Sequence, residues 1–184
     1  HSKSMGEYIK GMDSDYTFGL CLGDIVGWNH ALYPQYNEVM SHAGIEFRSV
    51  MGNHDMTNYG RSHETSMTDY ENMFGPAWYS FNVGKVHYIV MNNNFFIGTD
   101  WYYIGYLDER QLKWLENDLS HVRKGSQVII SMHIPTTLDK ADRAGFSYSG
   151  ISDNLTNKKA LYAMLEPYRT TILSGHMHTA DFEV

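Results

Sequence analysis

At 184 residues, with 42% hydrophobic side chains and no low-complexity tract or internal repeat, the chain has the length and apolar content of one folded domain, residues 1–184. Twenty-one Asp and Glu against 14 Lys and Arg leave a formal charge of −7, and no basic run interleaves with aromatics, so nucleic acid is not the default partner. Apolar runs such as Val128-Ile129-Ile130 are far too short to span a bilayer, and the single Cys21 excludes an intrachain disulfide framework.

Residues 17–22 form a short apolar run that predicts a buried strand, and Gly23-Asp24 follow at once. A second such strand is predicted over 47–51, running into Gly52-Asn53-His54-Asp55. Segment 57–68 is polar and without periodicity, a position expected of a substrate loop. Tyr79, Phe81 and Val83, then Val86, Tyr88 and Val90, alternate with period two about residues 82–85 and predict an antiparallel hairpin. Leu112, Leu115, Leu119 and Val122 recur at helical spacing within 111–122. A third strand, 127–132, leads into His133-Ile134-Pro135, and residues 135–156 form a second loop without periodicity. Ala160, Leu161, Met164 and Leu165 mark a helix over 157–165, and a last strand, 170–173, runs into Ser174-Gly175-His176-Met177-His178. Strands alternating with amphipathic helices argue for an α/β layered fold, and the hairpin makes its sheet mixed.

Four signatures thus share one layout, an apolar strand followed at once by metal-type side chains. In α/β sheets, loops at the carboxyl ends of the strands converge on one crevice, so four strands deliver these groups to a common edge. Imidazoles with a carboxylate suit zinc, iron, manganese or cobalt; Asp24 has two oxygens with which to bridge two ions, and Asn53 offers a neutral carbonyl oxygen. An acidic chain that handles an anionic substrate also needs cations to neutralise its carboxylates. Glycines before Asp24, Asn53 and His176 let the backbone turn sharply. A His-x-His on an extended segment would put His176 and His178 on one face.

Gly-Asp, then Gly-Asn-His-Asp 29 positions later, then a strand-terminal His, then Gly-His-x-His, in this order, resembles the calcineurin-like metallophosphoesterases. The stretches FGPAWYSFNVGKVHYIVMNNN, GYLDERQLKWLENDL and SMHIP resemble its bacterial branch, whose catalytic domain is often flanked by small extra domains. The resemblance implies a fold of two mixed β-sheets sandwiched by helices, a four-layer α/β sandwich, with two divalent or trivalent transition-metal ions (Mn, Fe, Zn or Co) on the shared edge. It implies Asp24 as bridging carboxylate, Asn53, His133 and His176 as ligands of the second metal, and His178 as a ligand of the first. For His54 it implies a catalytic role beside the scissile phosphate, with Asp55 accepting the other N–H of that imidazole.

Two departures from the family pattern stand out. An Asp-x-His motif, which supplies two ligands of the first metal, is expected about two dozen residues before the Gly-Asp and is missing; His1, 23 positions before Asp24, fits either a remnant of it or a tag residue. The chain is therefore expected to be a catalytic domain truncated at that strand, with activity impaired accordingly. Val26-Gly27-Trp28 replaces the family's second acidic position. The expected activity is hydrolysis of phosphomonoesters or phosphodiesters, on a phosphorylated small molecule or a phosphodiester. A nuclease or nucleotide phosphodiesterase on the same scaffold, and a non-catalytic binding domain with an incomplete metal site, are the rivals; a structural zinc site would want paired cysteines. Exported members of the branch make an extracytoplasmic location the expectation for a longer parent protein. Of the other histidines, His30, His42, His87 and His121 read as structural or solvated; His63, between Arg61 and Glu64, reads as part of a solvated loop with substrate contact as its alternative. Tyr102, Tyr103 and Tyr106 read as surface packing or as the mouth of the cleft.

Overall fold

A computed structural model describes residues 18–57, 59–98, 102–137 and 150–178. The described residues form eight strands: β1 Phe18–Cys21, β2 Glu46–Ser49, β3 Tyr79–Val83, β4 Val86–Val90, β5 Asn94–Phe96, β6 Tyr103–Gly105, β7 Gln127–Ser131 and β8 Arg169–Leu173. Among the described residues four α-helices accompany them: α1 Tyr33–Ser41, α2 Thr68–Phe74, α3 Glu109–Ser120 and α4 Lys158–Leu165.

The central sheet has the order β3-β4-β7-β8, with β3 antiparallel to β4 and the rest parallel, so the expected mixed sheet is present. Val83 pairs with Val86 across the two-residue turn Gly84-Lys85, where Gly84 takes a φ of 58°. Strands β1 and β2 form a separate parallel pair, and β5 and β6 a separate antiparallel one.

The two faces of the central sheet are covered differently. On one, Ile89, Val128 and Ile130 lie in a buried cluster with Leu115 and Leu119 of α3 and Leu161 and Leu165 of α4. Truncating one such leucine to alanine costs about 2–5 kcal/mol, so this cluster holds the helices on the sheet. Asp108 caps α3 by accepting the Gln111 N–H at 2.7 Å, worth about 1 kcal/mol. On the other face Phe81 and Tyr88 stack at 5.1 Å, and Phe18 of β1 meets both rings edge-on. The hydroxyls of Tyr79 and Tyr70 both donate to the Ser49 carbonyl at the end of β2, at 3.0 and 2.7 Å. Sheet therefore packs on sheet, with helices outside, as the α/β expectation requires.

Segment 57–68 is less loop-like than its composition suggests. It holds a 3₁₀ turn, Thr65–Met67, that leads directly into α2, and Ser66 and Met67 are buried. Neither α1 nor α2 was expected from periodicity: α1 buries Tyr33, Val39 and Met40, and α2 only Tyr70. No described helix is long and apolar enough to cross a membrane.

Candidate metal centre

The expected ligands sit just beyond the strand ends. Asp24 follows β1, Asn53 opens a 3₁₀ turn after β2, His133 follows β7 and His176 follows β8. Main-chain bonds lash these exits together: Val50 N–H donates to Cys21 O, Met132 N–H to Leu173 O, and Gly175 N–H to His133 O, at 2.9–3.1 Å. A side chain on Gly52 would collide with the backbone nitrogen and carboxylate of Asp24, so glycine there is what lets the β1 and β2 exits approach.

Left-handed backbone concentrates at this edge. The described non-glycine residues with positive φ are Asp24 (53°), Trp28 (61°), His176 (69°) and His178 (52°). Such conformations cost about 1–3 kcal/mol each and persist where surrounding structure imposes them, commonly at functional sites. The turn expected of the preceding glycines therefore falls partly on the ligands themselves.

One oxygen of Asp24 and one nitrogen each of His133 and His176 lie within 4.8 Å of one another. His133 is buried, and its Nδ1 is 2.7 Å from the Leu22 carbonyl, an acceptor, which fixes the proton on Nδ1 and leaves a lone pair on Nε2. That lone pair faces Asn53 Oδ1 at 3.0 Å, His176 Nδ1 at 3.1 Å and Asp24 Oδ2 at 3.3 Å. A proton on His133 Nε2 or His176 Nδ1, or a turned Asn53 amide, would satisfy some of these four atoms; a cation satisfies all four together. The donor set of one carboxylate, one amide oxygen and two imidazoles suits a transition metal.

The electrostatics run the same way. Burial pushes the Asp24 carboxyl up, but its contact with His133 and the His54 N–H bond hold it below its ordinary value, hence ionised. Burial, the largest cause, holds the His176 imidazole below its usual value, against Asp24 and Asp153, which favours the neutral form.

Asp24, Asn53, His133 and His176 are thus brought together, while His178 is exposed and outside the cluster. The expectation of an extended His-x-His is corrected: with both histidines left-handed, their rings do not share a face as strand residues would. His54 lies beside the site, its main-chain N–H donating to Asp24 Oδ1 at 3.0 Å and its ring 4.3 Å from that of Trp28.

The expected Asp55–His54 pairing is also corrected. Asp55 is fully buried and accepts from Gly52 N–H at 2.9 Å, from Ile25 N–H at 3.2 Å and from the Tyr33 hydroxyl at 3.1 Å; among the described residues it makes no bond to the His54 ring. Its role is to tie the β1 and β2 exits together. Burial pushes its carboxyl up to about 6, against the pull of the Gly52 and Ile25 N–H groups. His30 does what the sequence reading missed: its ring spans the His54 carbonyl (3.0 Å) and Asp69 (2.8 Å), fixing the turn from outside.

His63 is not solvated but buried, accepting the Phe96 N–H on Nδ1 at 3.3 Å. Tyr103 stands edge-on to His176 at 6.2 Å, and burial, then Asp153 and Asp24, push its phenol up to about 12, so it stays protonated. Asp153, from the second loop, lies 3.5 Å from His176 Nε2 and carried no motif that could have singled it out. His1 and the first seventeen residues lie outside the described residues.

The histidine and carboxylate cluster thus lies at the carboxyl ends of the strands of an α/β sandwich, where such folds bind ligands. Residues 7–180 match the pattern of the calcineurin-like phosphoesterase family, and the chain belongs to it. It is 29% identical over 131 residues to the serine/threonine-protein phosphatase CPPED1 of Pongo abelii, and 28% identical to that of Homo sapiens. Each alignment spans 70% of this chain and 40% of the relative's length. The purple acid phosphatase PPD1 from yellow lupin (Lupinus luteus) seeds superposes with a TM-score of 0.66 at 16% identity, covering 96% of this chain and 33% of that one, a likeness of fold.

Proposed function

We propose that this chain hydrolyses phosphoesters, monoesters first, at a dinuclear metal centre built on Asp24, Asn53, His133 and His176. The observation that carries the proposal is the convergence of Asn53 Oδ1, His176 Nδ1 and Asp24 Oδ2 on His133 Nε2, four atoms that a single cation satisfies together. When bound, transition-metal ions supply Lewis acidity toward a phosphoryl oxygen and bring the pKa of water toward neutrality.

The chain's own groups do the rest. Asp24, kept ionised, offers its two oxygens differently: Oδ1 accepts the His54 main-chain N–H while Oδ2 faces His133. His54 presents its imidazole beside the cluster, oriented by the Trp28 ring, where it can donate a proton to a phosphoryl oxygen or the leaving group. Tyr103 keeps its phenolic proton next to His176 and adds a second donor on that side. His178 and the residues outside the described segments are where further ligands of a first ion are to be sought.

A low Lys plus Arg count of 14 against 21 acidic residues favours a compact phosphorylated group over a polyanion. The protein phosphatases among its relatives make a phosphoserine or phosphothreonine side chain one such monoester. The test is elemental analysis for metal, with hydrolysis of para-nitrophenyl phosphate and its bis-ester in added manganese. Two ions per chain with faster monoester turnover is the expected result; no bound metal and no turnover would overturn the proposal.

A further inference from the structure

His176 turns Nδ1 toward the cluster, 3.1 Å from His133 Nε2, and Nε2 away from it; with Nδ1 given to a cation, the proton of the neutral ring belongs on Nε2. Nε2 in turn faces Asp153 Oδ1 at 3.5 Å. Asp153 is not one of the residues whose ligand atoms fall within 4.8 Å of one another, so it stands behind the imidazole rather than in the cluster. An imidazole held between a metal-side nitrogen and a carboxylate on its far nitrogen has its tautomer and ring orientation fixed and its basicity raised.

The placement of Asp153 is built by β6. Gly105 N–H donates to the Ile151 carbonyl at 2.7 Å, and the Gly105 carbonyl accepts both the main-chain N–H and the hydroxyl of Thr156 at 2.7 Å. Leu155 N–H bonds Pro135 O at 2.9 Å, two residues past His133. Residues 151–156 therefore arch over Gly105, and a Cβ at 105 would run into the Asn154 carbonyl and approach Ile134 Cγ2 at 3.1 Å. Only glycine allows the arch to sit low enough to bring Asp153 to His176. Within the arch, Asp153 N–H bonds Gly150 O at 3.1 Å and Ser152 Oγ approaches Asp153 Oδ1 at 3.4 Å, contacts that leave the carboxylate available to the imidazole.

We infer that Asp153 is a positioning residue that orients His176 for metal binding, and that Gly105 is the point on which that arrangement rests. The inference builds on the metal-centre reading above and adds a residue from outside its motifs.

Cobalt(II) is the probe, titrated into the metal-free chain with affinity read by calorimetry and coordination by visible absorption. Asp153→Asn is expected to weaken cobalt binding roughly 10–100-fold with unchanged band positions, since no ligand atom is lost. Asp153→Glu should recover part of the loss, while Gly105→Ala should reproduce it with the carboxylate still present. The melting temperature of metal-free Asp153→Asn should stay within about 2 °C of the parent, as for a partly exposed side chain with few contacts. Affinity within about twofold of the parent, a tolerance small against that 10–100-fold, would overturn the inference, as would shifted cobalt bands, which would make Asp153 a direct ligand. If the parent chain binds no cobalt at all, the metal-centre reading itself fails, and this inference with it; binding by the parent with an indifferent Asp153→Asn sinks the inference alone.

Discussion

Both ends of the central sheet carry a histidine beside an aspartate, and the two pairs are held in opposite ways. At the amino end of β4, His87 sits within a regular strand opposite Asn82, with Nε2 at 2.8 Å from Asp118 and Nδ1 at 2.9 Å from the Asn82 amide. The second Asp118 oxygen accepts the Ser80 hydroxyl at 2.7 Å. Because an amide can present either its oxygen or its NH₂, every polar atom of that group finds a complementary partner. At the carboxyl end, His133 Nε2 faces Asn53, His176 Nδ1 and Asp24 Oδ2 together, more partners than one shared proton serves, and Asp24 and His176 hold left-handed backbone. Residue type does not separate these pairs; satisfaction does. Acceptors left facing one another by a strained backbone mark a place kept for something the chain does not itself supply, whereas the His87 group is a buried clasp between hairpin and helix.

The sharpest way to break this contrast is to remove one member from each end. His176→Ala takes away a ligand, and is expected to empty the site and bring turnover to the uncatalysed background, measured by metal analysis and para-nitrophenyl phosphate hydrolysis. Retained metal with full turnover would mean that the crowding of lone pairs has no functional content. Next in size is His54→Asn. The main-chain N–H of residue 54, which bonds Asp24, survives the substitution, so the ions should stay while turnover falls about 10²–10⁴-fold, the usual contribution of a proton-transferring side chain. An emptied site in that variant would show that His54 is structural. At the far end, Asp118→Asn should leave metal content alone and cost about 1–3 kcal/mol in urea unfolding, since it weakens charge-assisted bonds in a buried clasp. Lost metal with unchanged stability would erase the distinction between the two ends.

What could be read from sequence follows the same division. The clustered residues were legible because each closely follows an apolar strand, so a local pattern announces both the strand and its exit. The helices over 109–120 and 158–165 were legible because each buries a stripe at helical spacing. Helix α2 was not, since seven residues with one buried side chain make no period. Asp55 was misjudged because it is next to His54 in sequence, yet in a 3₁₀ turn successive side chains diverge by about 120°, so neighbours in sequence face different partners. The backbone at His176 and His178 was illegible for a different reason: no local preference puts a histidine in left-handed conformation as a rule, and here the surrounding fold imposes it. Asp153 lies 23 positions before its partner, in a segment whose composition reads only as loop.

A third histidine, His63, belongs to neither class. His63 accepts the Phe96 N–H on Nδ1, so its proton sits on Nε2, facing Asp108 at 3.5 Å without a full hydrogen bond. Burial holds the imidazole below its ordinary value; Asp108 and Glu64 pull it up, and Arg110 pushes it down. The sign follows from linkage. Below about 6.5, the reference value for an unperturbed histidine, the unfolded chain takes up a proton that the native ring refuses, so native stability declines as pH falls from there to the folded value. Below that value both states are protonated and the loss stops growing. His63→Asn keeps an acceptor for Phe96 but cannot titrate, so its melting temperature should fall less between pH 7.5 and 5.5 than that of the parent, both measured metal-free in EDTA. This is the smallest of the effects, and parallel pH profiles for the two proteins would show that His63 is as well satisfied as His87.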